Sequence, residues 1–184
     1  MKKLQQILLP WIIIILCLVI LFQVYHHNNG KYSESDKGDP LPSNLHPTVE
    51  ANKNRLIERA AKKNIDVVIT EEVRSFKEQN RLYEQGRTRK GNIVTYAKGG
   101  ESYHNYGLAI DFALENDTGK IIWDIQYDGN GNNQSDWYEV AAIAKELGFE
   151  WGGDWNNFKD YPHLQMTFGL SINQLQQGVR PKVD

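Results

Sequence analysis

The residues of this chain whose types and spacing could do chemistry are two histidines and an aspartate: His104, Asp111 and His163. His104 sits in Ser102-Tyr103-His104-Asn105-Tyr106-Gly107, directly before an alternating segment that contains Asp111, and His163 follows Asp160-Tyr161-Pro162 at the start of another. Two imidazoles and one carboxylate suit zinc, and three protein ligands leave a fourth position for water. With one anionic ligand such a site keeps a net positive charge, which lowers the pKa of bound water to about 7 and makes a nucleophile at neutral pH. Hydrolysis of an amide also needs a base to move the water's proton to the leaving amine. Asp160 stands three residues before His163, with the rigid Pro162 limiting how far the two can drift apart. A third need is a cation for the oxyanion or for a substrate carboxylate, and Arg74, whose guanidinium can grip a carboxylate through two bonds, is the candidate. Singly, each residue has a plainer explanation: a hydrogen-bonded histidine, a solvated arginine, a chance Asp-x-x-His spacing. Their weight lies in their combination.

These residues need elements to position them. Leu45, Val49, Leu56 and Ala60 recur near a helical period, so Pro47 to Lys63 is expected to be a helix with proline in its first turn. Asp66 to Thr70 (DVVIT) is a β-branched strand, and Ser75 to Gln85 a helix that stops at Gly86. Gly91 to Gly100 is loop, with a brief strand at Ile93 to Tyr96. Leu108 to Leu114 alternates: Leu108, Ile110, Phe112 and Leu114 share one face, and Ala109, Asp111 and Ala113 the other. Gly107 permits the tight turn between His104 and this strand. Ile121 to Trp123 is the returning strand of a hairpin, Trp137 to Leu147 a helix closed by Gly148, and His163 to Phe168 a strand with His163 and Gln165 on one face. Helices first and short strands later, with short connections, predict an α+β domain built on a small antiparallel sheet.

At 184 residues the chain suits one globular domain plus an appendage. Its net charge of -2 and the lack of basic runs interleaved with aromatics speak against nucleic acid as a partner. The only cysteine is Cys17, so disulfides and thiol catalysis are excluded from the rest of the chain. Lys2 and Lys3 precede an apolar run from Ile7 to Val24, close to the length that spans a ~30 Å hydrocarbon core. Charge before the run favours a cytoplasmic N-terminus and an extracytoplasmic remainder. No small-x-small cleavage site follows, so an uncleaved anchor is preferred to a removed signal peptide. The expected division is a membrane anchor or signal over residues 1–25, a polar tether over 26–40 and a globular domain over 41–184, acting as a monomer. The pair His26 and His27 in the tether reads as solvated.

Three separated segments carry a family resemblance. SYHNYGLAIDFAL resembles the Ser-x-His-x-x-Gly-x-Ala-x-Asp signature of the zinc D-Ala-D-Ala carboxypeptidase and L-alanyl-D-glutamate endopeptidase family. GFEWGGDWNNFKDYPHLQM resembles that family's closing segment, and VRSFKEQNRLYEQGR its arginine-bearing one. The likeness runs from about Leu41 to Met166 and is greatest to the wall endopeptidases that cut between L-alanine and D-glutamate in peptidoglycan stem peptides. It implies one zinc ion on His104, Asp111 and His163, Asp160 as general base, and Arg74 at the reacting carbonyl or a substrate carboxylate. It also implies a single-zinc cleft in a fold of the family's type. An aspartate base, where some dipeptidase relatives have glutamate, fits the endopeptidase branch, by analogy only. The alternatives are a D,D- or L,D-carboxypeptidase trimming the stem terminus and, from a different class, a non-catalytic wall-binding module with structural zinc. Ser102 and Tyr103 are expected to shape the cleft; Gln79 and Tyr83 either support Arg74 or pack, packing being preferred; Trp151, Trp155 and Phe158 are expected to pack around His163, ahead of a sugar-stacking role.

Asp128, Asn130, Asn132, Asp136 and Glu139 fall at positions 1, 3, 5, 9 and 12 of a twelve-residue loop, the calcium spacing of an EF-hand. Position 6, glycine in that motif, is Asn133, which also tolerates a left-handed turn. The competing explanation is an Asn/Gly-rich turn with Asp136 capping the next helix. Arg87, Arg89 and Lys90 form a small basic stretch, read as a solvated loop.

Overall fold

The structure, a computed structural model, describes residues 11–23, 32–34 and 41–183. Residues 11–23 form helix α1, whose apolar side chains from Trp11 to Phe22 are exposed. Among the described residues no helix is long and apolar enough to cross a membrane. The expected span from Ile7 to Val24 begins and ends outside the described residues.

Helix α2 (Pro47–Ala61) opens with proline in its first turn, and the His46 side chain accepts the Thr48 amide there. Its face of Val49, Leu56 and Ala60 is fully buried against strand β2 (Asp66–Glu71) and helix α4 (Asp136–Glu146). Helix α3 (Phe76–Glu84) is started by a capping box, in which Ser75 and Glu78 satisfy each other's backbone amides. A 3-10 turn, Tyr103–Tyr106, leads through Gly107 into β3 (Ala109–Glu115). Gly107 has φ +68°, and a Cβ there would lie 2.5 Å from the Asn44 carbonyl oxygen, so the close turn requires glycine.

Strands β4 (Ile121–Ile122), β5 (Glu150–Trp151) and β6 (His163–Gln165) complete a five-stranded antiparallel sheet of order β2-β3-β6-β5, with β4 on the end of β3. Inward-facing Ile110, Phe112, Leu114 and Leu164 are buried against Trp137, Val140 and Ala144 of α4. The fold is α+β, as the order of elements predicts. Helix α5 (Ile172–Gln176) and strand β7 (Val179–Pro181) close the chain.

Three local expectations differ from the structure. Ile93 to Tyr96 forms no strand; Ile93, Val94 and Tyr96 are exposed and find no partner strand. The strand from His163 stops at Gln165, opposite the first residues of β3 and β5, instead of reaching Phe168, which takes a positive φ of 51°. Tyr32–Glu34, inside the expected 26–40 tether, is strand β1, paired antiparallel with β7. The remainder of that tether lies outside the described residues.

Candidate metal centre and cleft

Sheet register brings the centre together. In the antiparallel pairing of β3 with β6, Asp111 stands directly opposite His163. On the other side of β3, Asp111 is opposite Glu71, where a register shift between Ile69 and Glu71 bends the end of β2. The chain leaving that bend carries Arg74. Its backbone amide bonds the His104 carbonyl at 3.1 Å, and Asn105 Nδ2 donates to the Arg74 carbonyl at 2.8 Å. The 3-10 turn bearing His104 is thereby latched to the β2–α3 connection.

His104 Nε2, His163 Nδ1 and Asp111 Oδ1 lie at the corners of a triangle with all three edges 3.2 Å. A tetrahedral zinc ion with bonds of about 2.0–2.1 Å holds its ligands roughly 3.3 Å apart, so the spacing fits. The hydrogen bonds behind the ligands fit as well. His104 Nδ1 is 2.7 Å from the Glu72 carbonyl oxygen and must donate to it. His163 Nε2 is 3.0 Å from Gln165 Oε1, and the amide cannot turn round because its Nε2 donates to Glu150 at 2.9 Å. With both outer nitrogens carrying hydrogens, each neutral ring turns a lone pair toward the Asp111 carboxylate. Three acceptors facing one another at 3.2 Å call for a cation between them. Among the described residues, His104, Asp111 and His163 form a group that could hold a metal ion.

The electrostatics point the same way, a proton on an inner ring nitrogen standing in for the cation. Burial works to raise the Asp111 pKa, but hydrogen bonds and charge from His104 and His163 outweigh it and hold the group well below the usual carboxylate range. Burial works to lower that of His163, and the Asp111 carboxylate overrides it upward. Positive charge is favoured at this point of the fold.

The centre lies on the wall of a cleft of about 800 Å³ that is also lined by Arg74, Tyr103, Trp155, Phe158 and Asp160. Asp160 and His163 are brought close by Gly152: a Cβ on that residue would sit 2.4 Å from the Asp160 carbonyl oxygen and 3.1 Å from His163 Cβ. The Asp160 amide donates to the Gly152 carbonyl at 3.1 Å, and the His163 amide to Asp160 at 3.2 Å. Burial raises the Asp160 carboxyl pKa, and Asp111 adds to it, against the pull of His163, His104 and Arg74. A carboxylate with a raised pKa is a better proton acceptor.

Arg74 is nearly buried and its guanidinium is held from three sides. Nη1 donates to Gln79 Oε1 at 2.9 Å, Nε to Glu71 at 3.3 Å, and Nη2 lies 3.6 Å from Asp111 Oδ2. Of the two readings of Gln79, packing and support of Arg74, the less favoured one holds: it directly supports Arg74. It is fully buried, and its Nε2 donates to the Ala97 carbonyl at 2.8 Å. Tyr83 instead packs under Arg87, whose guanidinium sits 3.9 Å from its ring centre. Arg87 also donates to the Tyr83 and Thr95 carbonyls, so it serves the fold. Trp155 contacts the His163 ring, with centroids 5.1 Å apart, and Phe158 packs on Trp155. Trp151 is one step removed, donating from Nε1 to the Tyr161 carbonyl. Gln165 and Glu150 were not among the expected site residues, although the alternation of His163 and Gln165 already placed the glutamine on the histidine's face.

Comparison with known proteins locates this arrangement in a family. Residues 95–166 match the sequence pattern of the D-alanyl-D-alanine carboxypeptidase family, a segment that holds His104, Asp111, Asp160 and His163. The chain is 61% identical over 156 residues to the peptidoglycan L-alanyl-D-glutamate endopeptidase CwlK of Bacillus subtilis, covering 83% of this chain and 93% of that protein. It is 31% identical over 125 residues to the L-alanyl-D-glutamate peptidase of Listeria phage A118, covering 67% of this chain and 38% of the phage protein. Among solved structures, the LdcB LD-carboxypeptidase shares the fold with a TM-score of 0.50 at 21% identity, over 75% of this chain and 78% of that one. The chain belongs to the peptidoglycan L-alanyl-D-glutamate endopeptidase family that includes CwlK.

Proposed function

We propose that this protein is a zinc-dependent peptidoglycan hydrolase that cleaves the L-alanyl-D-glutamate bond of cell-wall stem peptides. The observation that carries the reading is the set of three ligand atoms, each 3.2 Å from the next, on a cleft that also holds Asp160 and Arg74. His104, Asp111 and His163 hold the ion. When bound, zinc supplies the Lewis acidity that makes water a competent nucleophile at neutral pH. Asp160 accepts the proton of the attacking water and returns it to the leaving amine. Arg74, fixed by Glu71 and Gln79, stabilises the oxygen on which negative charge develops or grips a carboxylate of the stem peptide. The exposed Phe158 and Tyr96 give the cleft apolar rims against which an extended peptide can lie. High identity to CwlK across nearly its whole length supports the endopeptidase over the carboxypeptidase assignment.

The apolar run Ile7 to Val24 anchors the chain in the membrane and leaves the domain, as a monomer, on the extracytoplasmic side facing the wall. The exposed apolar side chains of residues 11–23 support this reading.

Digestion of a purified muropeptide followed by mass spectrometry tests the bond. A cut between L-alanine and D-glutamate is expected; loss of terminal D-alanine instead assigns a carboxypeptidase. Asp160→Ala tests the mechanism. The variant should keep its zinc and lose about 10²–10⁴-fold in turnover; unchanged hydrolysis with zinc retained contradicts the role of Asp160 and favours a different base.

A further inference from the structure

The loop between β4 and α4 carries a second constellation of oxygen atoms, independent of the histidine–aspartate centre. Its folded shape follows the calcium spacing closely. Asp128, at position 1, accepts the backbone amides of Asn132 and Asn133 at 3.0 and 2.9 Å. Asn130 accepts the Asn132 amide at 3.1 Å, and Asn132 the Gln134 amide at 2.8 Å. Asn133, where a glycine would be usual, has φ +65°. These contacts alone describe a turn. What they leave unexplained is Asp136, whose side chain is buried to 2% exposure. Its Oδ2 accepts the Gly129 amide at 2.9 Å, which sets the carboxylate against the first positions of the loop. Its Oδ1 is buried and has no partner. Burial, with the charges of Glu139 and Asp128, raises its pKa against the pull of the Gly129 and Asn130 backbone amides, so the carboxylate stands among other acids. A buried, unpaired carboxylate oxygen among like charges is costly unless something positive is placed beside it.

We propose that the Asp128–Glu139 loop is a calcium site, with Asp136 Oδ1 as the ligand that waits for the ion. Asp128, Asn130, Asn132 and Glu139 supply the other side-chain oxygens, and the Gln134 carbonyl supplies a backbone one. All these donors are hard oxygens, which select calcium or magnesium over zinc. Seven-fold flexible geometry and an acid at position 12 favour calcium, because magnesium demands a tight octahedron and sheds water reluctantly. Glu139 is already partly neutralised by Lys63, whose Nζ lies 2.8 Å from Oε1. Three carboxylates, one of them shared with a lysine, place the affinity in the weak class, with a dissociation constant of about 10⁻⁴–10⁻³ M, typical of extracellular modules. The ion would tie the loop to the first turn of α4, next to Trp137, which packs on Phe112 at 4.8 Å between ring centres.

The test uses the zinc-loaded full chain in calcium-depleted buffer, without a chelator that would strip zinc, titrated with calcium chloride. Calorimetry should show one site per chain, and about 5 mM calcium should raise the melting temperature by roughly 5 °C. Asp128→Ala should reduce the affinity at least about tenfold and remove most of that rise. Asp136→Asn, which keeps an acceptor for the Gly129 amide, should do the same and guards against a misfolded loop in the first variant. Absence of heat and of any shift at millimolar calcium overturns the proposal. So does an equal response to magnesium, or a wild-type response in both variants.

Discussion

Gln165 offers the sharpest test of how the metal centre is held. Its Oε1 takes the hydrogen of His163 Nε2 at 3.0 Å, and its Nε2 is locked to Glu150 at 2.9 Å. Gln165→Ala removes the group that selects the tautomer of His163 and fixes the ring plane. The lost bond between neutral groups accounts for about 0.5–1.5 kcal/mol. The histidine also regains rotational freedom and a second tautomer, and the hydrogen left at Nε2 is buried without a partner. Outer-shell partners of metal-bound histidines are worth about 10–100-fold in affinity, or roughly 1.4–2.7 kcal/mol. Glu150 polarises the amide, so the effect should not fall at the bottom of that range but near its middle, about 30-fold. Glu150→Ala leaves the amide in place and frees only its orientation, so it should cost no more than about threefold. Zinc affinity, measured by competition with a chromophoric chelator at pH 7, gives both numbers. A folded Gln165→Ala protein that binds zinc within twofold of wild type refutes the reasoning.

Three further outcomes follow from other parts of the structure. Gly152→Ala places a methyl 2.4 Å from the Asp160 carbonyl oxygen; the Asp160–His163 segment must move, and turnover should fall at least about 100-fold, read as kcat in a stem-peptide assay, while the circular dichroism spectrum stays native. Leu56→Ala opens a cavity at a fully buried position of α2 and should destabilise the domain by about 2–5 kcal/mol in urea unfolding. Burial works to raise the pKa of Glu139, but hydrogen bonds from Lys63, Asn130 and Asn132 and the Lys63 charge carry it below its ordinary value. A depressed folded-state pKa adds stability that is present above the unfolded value of about 4.3 and is lost as pH falls through the folded one. In calcium-free buffer, the melting-temperature gap between wild type and Glu139→Gln should therefore be widest above about pH 5 and narrow below about pH 4; a gap independent of pH contradicts the pairing.

Residues with a strong local signal were legible in the sequence. The alternation of Leu108 to Leu114 announced β3 and placed Asp111 on its small-residue face, and the stretch from Ser75 to Gln85, closed by Gly86, announced α3. Asn133 was readable as a left-handed position because few other residues accept that backbone. What failed depended on partners distant in the chain. Ile93 to Tyr96 has the composition of a strand, but composition does not supply a neighbouring edge. Tyr32–Glu34 looks like linker because its pairing with Val179–Pro181 is made across nearly the whole chain. Gln79 looked like a packing residue because its role is defined by Arg74, whose guanidinium reaches back onto it at 2.9 Å.

The same long-range ties explain why a centre assembled from three separated segments can be rigid. Lys53 of α2, almost buried, binds the Glu72 side chain at 2.7 Å, and the carbonyl of Glu72 takes the hydrogen of His104 Nδ1 at 2.7 Å. Asn52, one residue earlier, donates to the Leu147 carbonyl at 2.9 Å and pins α2 to the end of α4. The helix thus acts on the histidine through one residue, Glu72, whose side chain and backbone are both engaged. On the other strand, Glu150 fixes Gln165, which fixes His163. Asp111 alone has no such external support for Oδ1; it is held by strand register, opposite His163, and by Arg74 near Oδ2. The two imidazoles are therefore oriented by hydrogen bonds and the carboxylate by the sheet and a charge. Loss of an outer partner should loosen a histidine without moving the aspartate, whereas neutralising Arg74 should perturb the aspartate and leave both rings in place.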